Sequence, residues 1–101
     1  MSQSQTAAIA PAGWVVGVML KTPAEPMQRY YYAVGHADRA KAEWTAVDCA
    51  VRAGEVAASP VAGAEPVAAL KPLTRPAMAA LGLLPGEVRE LGWRYPRRWL
   101  A

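Results

Sequence analysis

The stretch DRAKAEWTAVDCAVRAG, residues 38–54, decides how the rest of the chain reads. Asp38 suits a helix N-cap, because a short carboxylate can accept the free N–H groups of a first turn, and Gly54 stands where a C-terminal cap glycine belongs. Nothing between them breaks a helix, so the spacing predicts one from Asp38 to Ala53. At about 100° per residue the helix divides into sectors. Ala40, Trp44, Val47 and Val51 form an apolar stripe, and Asp38, Lys41, Thr45, Asp48, Arg52 and Glu55 form a polar one. A third sector holds small residues: Ala42, Ala46, Cys49, Ala50 and Ala53. The stripe with the indole and two valines is the face expected to bury. Arg39–Glu43 and Asp48–Arg52 stand at i,i+4 and should add weak support.

A helix of this kind needs a sheet to lie on, and the preceding residues supply one. Trp14 to Leu20 is short, rich in Val, and bounded by Gly13 and Pro23, which marks a strand. Its even positions, Trp14, Val16, Val18 and Leu20, are expected to face the core. Lys21–Pro26 is a turn, since its two prolines cannot donate to a sheet ladder. Gln28–Val34 is a second strand by its aromatic and β-branched content, with Tyr30, Tyr32 and Val34 on one face and Arg29, Tyr31 and Ala33 on the other. The short connection predicts an antiparallel hairpin. Trp44, Val47 and Val51 are then expected against Val16, Val18, Tyr30 and Tyr32.

Beyond the helix, Glu55–Pro66 is rich in Ala, Gly and Pro and reads as a loop. Val67–Lys71 is a third strand, placed at an edge by the flanking Pro66 and Pro72. Thr74 can cap a short helix over residues 76–81, which tolerates Pro76 in its first turn and stops at Gly82. Leu84–Glu87 is a turn or a helix start. Val88 and Leu91, three apart, fit a further helical turn. The order is β-β-α-β-α. The predicted class is α+β: a small antiparallel sheet of about three strands with one main helix across one face. Residues 13–92 form the predicted domain, between a disordered tail at 1–12 and an aromatic, basic tail at 93–101.

Composition narrows the function classes. Ala makes up about a fifth of the 101 residues, Asn and Phe are absent, and Arg outnumbers Lys eight to three. A GC-rich coding sequence gives this bias, so the net charge of +3 and the pI near 9.4 say little about nucleic acid. Cys49 is the one cysteine, so no intramolecular disulfide can form and a reducing, cytoplasmic setting is expected. No positive region precedes an apolar run at the start. The seven apolar residues of Trp14–Leu20 fall far short of a membrane span, which needs roughly 20.

Little in the sequence carries chemistry. His36 with Asp38 two residues on could make an oriented general base, but a loop histidine beside a helix cap is the expected reading. Cys49 is read as a small core residue. One His and one Cys thirteen apart give no metal-ligand spacing, and no glycine-rich phosphate loop is present. No catalytic residue, metal, cofactor or small-molecule ligand is therefore expected. Two segments point to partners. Residues 75–91 have the spacing of a helix-turn-helix, with Gly82 at the turn and Val88 and Leu91 anchoring the second helix. Against it, Met78 stands where a small residue is usual, and Glu87 and Glu90 would repel phosphates; the simpler reading is a hairpin completing the core. The tail interleaves Trp93, Arg94, Tyr95, Arg97, Arg98 and Trp99. With Arg89, these are the candidate contacts for a protein partner or for nucleic acid, unless the tail folds back onto the core. A non-enzymatic interaction module, with self-association into a homodimer as one form, is the expected function. A small DNA-binding protein is the alternative.

Overall fold

The alternation along residues 13–34 produces the hairpin it predicts. In the computed structural model, which describes residues 11–94, 96 and 97, β1 (Gly13–Lys21) pairs antiparallel with β2 (Gln28–Val34). Trp14 lies opposite Val34, Val16 opposite Tyr32 and Val18 opposite Tyr30. Residues 1–10, most of the predicted N-terminal tail, lie outside the described residues, as do Tyr95, Arg98 and Trp99. The remaining elements are α1 (Arg39–Ala50), β3 (Glu55–Val56), β4 (Val67–Leu73), α2 (Arg75–Leu81) and β5 (Val88–Gly92). The fold is α+β. Among the described residues the sheet has five strands: β5 pairs β2, β2 pairs β1, and β3 and β4 both pair β1 along its other side, all antiparallel.

Two strands thus exceed the expected three. β3 is a two-residue pairing within the predicted loop, too short to leave a sequence pattern. β5 corrects a wrong period. Residues 88–91 were expected to coil, but a spacing of three also puts Val88 and Leu91 on opposite faces of a strand, and both faces are used. Val88 packs against the core beneath α1, and Leu91 packs against the core on the other side of the sheet. The edge of β2 supplies backbone partners, with Val34 opposite Val88 and Ala33 opposite Arg89. The helix-turn-helix-like segment 75–91 is therefore helix, turn and strand. Its first half forms as read. The Thr74 hydroxyl accepts the Ala77 N–H at 3.2 Å, Pro76 sits in the first turn, and Gly82 ends α2 in the left-handed region at φ 68°.

The larger correction concerns which side of α1 meets the sheet. Ala42, Ala46 and Ala50 are the fully buried residues of the helix, while Trp44 is 70% and Val51 56% exposed. The reason is volume. The sheet face beneath α1 already carries Val16, Val18, Leu20, Tyr32 and Val34, all buried, with Trp14 and Tyr30 packed at the margins. Each fully buried Val or Leu contributes about 1.5–3 kcal/mol, so the strands supply the bulk of this core. A helix laid on so full a surface must come close, and a ridge of alanines four apart lets it. The helix also ends at Ala50, three residues early, with Val51 as its C-cap. Gly54 serves a different purpose from the expected cap. The chain passes so near the Lys21 carbonyl that any Cβ at Gly54 would overlap it.

On the opposite face of the sheet, α2 buries Met78 with Val15, Ala33, Leu73 and Leu83. The odd-position side of β1 is therefore also covered.

Candidate interaction surface

The outward side of α1 is built by the same geometry that buries its alanines. Trp44 lies about 160° around the helix from the centre of the alanine ridge, so seating that ridge turns the indole to solvent. Asp38 fixes where the helix starts: its carboxylate accepts the Ala40 N–H at 2.9 Å and the Lys41 N–H at 3.3 Å. The Trp14 indole closes the same end, donating to the Ala37 carbonyl at 2.8 Å, with the Arg39 guanidinium 5.9 Å from its ring centre.

Beside Trp44 runs a groove of about 330 Å³ between α1 and the β3–β4 side of the sheet. Trp44 and Val47 wall it from the helix, and Val56 and Val67 from the strands. Glu43, which also lines it, has its carboxylate engaged. It accepts the Ala69 N–H at 2.8 Å and pairs with Arg39 at 3.8 Å, tying α1 to the edge strand β4. On the other flank of Trp44 stand Lys41 and Asp48, both exposed and neither in an ion pair among the described residues; the expected Asp48–Arg52 pair does not form. Thr45 lies there too, its hydroxyl donating to the Lys41 carbonyl at 2.8 Å. A larger open notch, about 710 Å³, lies at the α2 end of the sheet around Met78, Leu83 and Leu84. It contains no aromatic side chain and adjoins Pro11, the first described residue.

The far side of α1 brings Cys49, Glu90 and Tyr32 together. The Cys49 thiol lies 3.7 Å from a Glu90 carboxylate oxygen and can donate to it. Burial first, and then the Glu90 charge and this contact, push the thiol up from its ordinary value against a smaller opposing pull from Arg52. That suppresses the thiolate, the reactive form. Burial likewise pushes the Tyr32 hydroxyl up to about 12, reinforced by Cys49, Glu90 and Tyr30.

Arg89 is exposed. Its guanidinium donates to the Leu81 carbonyl and, at 3.4 Å, to the Gly82 carbonyl, covering the negative end of α2. Trp93 is 53% exposed with the Arg94 guanidinium 5.3 Å from its ring centre, and Arg97 is exposed. Tyr95, Arg98 and Trp99 fall outside the described residues. Asp38 is committed to capping α1, and no Asp38–His36 hydrogen bond is present among the described residues. No described cluster of three His, Cys, Asp or Glu side chains could hold a metal ion, and no helix among the described residues is long and apolar enough to cross a membrane. The residues that sequence reasoning missed are Trp44 and Val51, assigned to the core by their hydrophobicity. The signal that could have placed them outside was the small-residue sector on the opposite side of the same helix.

No family model matches this chain, and neither the curated proteins nor the solved structures compared with it include a match.

Proposed function

We propose that this protein is a non-enzymatic interaction module whose docking surface is the outer side of α1 together with the groove beside it. The observation that carries the reading is Trp44, 70% exposed at the middle of the longest helix among the described residues. Val51, 56% exposed and close to two turns further on, extends the apolar strip, and the groove of Val47, Val56 and Val67 adjoins it. Contiguous exposed apolar surface rimmed by charge marks contact sites, and Trp is the residue type most enriched among those that dominate binding energy. The fold can hold this surface rigidly because α1 is fixed at both ends, by the Asp38 cap and by the close passage of Gly54 along Lys21. A single cysteine, which can form no intramolecular disulfide, fits a cytoplasmic setting.

The test is site-specific photo-crosslinking in the source cell. A photoreactive side chain replaces Trp44 in one variant and Ala24, exposed in the β1–β2 turn, in another. The reading predicts a discrete adduct from position 44 and none from position 24. No adduct from position 44, or the same adducts from both, would overturn it.

A further inference from the structure

The row Lys41, Trp44, Asp48 on α1 indicates what covers this face. Lys41 and Asp48 are seven residues apart, which is close to two helical turns, so they stand one above the other about 10 Å apart with Trp44 beside the space between them. They carry opposite charges, are exposed, and make no ion pair among the described residues. An isologous dimer requires a surface that complements itself under a two-fold rotation. Two copies of α1 laid antiparallel, with the dyad passing between Trp44 and Thr45, set each Lys41 against the other copy's Asp48.

From this charge complementarity we infer that the occupant of the α1 surface is a second copy of this chain, paired through antiparallel α1 helices; the inference rests on the interaction-module reading above. The two Trp44 indoles meet beside the dyad and cover one another. Each copy's Val51 lies toward the opposite end of the helix pair, near the other copy's Ala40. The charge pairs sit at the rim, where exposed ion pairs contribute little affinity, so they set direction and register while the apolar strip supplies the binding. A parallel arrangement places Lys41 against Lys41 and Asp48 against Asp48 and is disfavoured. Glu43 takes no part, since Arg39 and the Ala69 N–H already occupy its carboxylate.

Sedimentation equilibrium on the full chain, over a wide concentration range, tests this. The expected result is a concentration-dependent mass reaching twice the 10.8 kDa of one chain. Trp44→Ala should raise the dissociation constant at least about tenfold. Lys41→Glu and Asp48→Lys should each weaken the dimer about threefold or more, because each places like charges across the dyad, and the double reversal should restore affinity to within about twofold of wild type. All the altered side chains are exposed, so circular dichroism should stay unchanged and a loss of dimer is not a loss of fold. A dimer that survives Trp44→Ala, or a double reversal no better than the single ones, overturns this pairing. A strictly monomeric protein overturns it too. If position 44 still gives a discrete adduct with a different protein, that result retains the interaction-module reading while self-pairing fails; if it gives none, both fail.

Discussion

Ala42, Ala46 and Ala50 on one side of α1, and Ala40, Trp44, Val47 and Val51 on the other, are used in the reverse of the order that hydrophobicity ranks them. The weaker side is buried and the stronger one faces solvent or a groove. What separates them is the surface each meets. The ridge of alanines lies on strands already crowded with Val16, Val18, Leu20, Tyr32 and Val34, where shape decides and added bulk has no room. On the outer side Trp44 and Val51 are exposed and Val47 borders an open groove, so bulk there meets little constraint. A helix that carries its largest apolar residues away from its own core is equipped for contact with another molecule.

The sharpest way to break this contrast is to make the two sides alike. Ala46→Leu adds bulk where α1 touches the sheet and should lower stability by about 2–3 kcal/mol, measured as a shift in the urea midpoint. Tolerance of leucine there would mean the alanine side is not tightly packed. Gly54→Ala should cost about 1–2 kcal/mol in the same assay, because the new methyl meets the Lys21 backbone and α1 must lift. Glu43→Ala removes the acceptor of the Ala69 N–H and should cost about 1 kcal/mol, with faster hydrogen exchange at Ala69 than at its neighbours in β4. A separate effect is a slope with pH. Folded Tyr32 keeps its proton up to about pH 12, whereas the unfolded chain releases it near 10. The native state therefore holds more protons between those values, and stability present below pH 10 is lost as pH rises toward 12. Tyr32→Phe should flatten denaturation midpoints measured across that window.

The strands and caps were legible because their signals are local. Alternation in Trp14–Leu20 and Tyr30–Val34 specifies the hairpin and its core face, and Asp38, Thr74 and Gly82 cap the helices as their chemistry dictates. What was not legible depends on a partner surface. Val88–Leu91 fits either period, and the open edge of β2 decides between them. Likewise, the orientation of α1 depends on how much volume the strands already fill, a sum over residues far apart in the chain. The candidate site suffered most from this. Trp44 was assigned to the core and is exposed.

The most direct test of the central claim is the solvent exposure of Trp44 itself. Fluorotryptophan placed at position 44 alone reports it through the shift of its fluorine resonance between light and heavy water. In dilute solution the account predicts the large isotope shift of an open indole, shrinking as concentration rises and a second α1 covers it. A resonance that is shielded at every dilution would contradict the account, because Trp44 would then lie within its own chain.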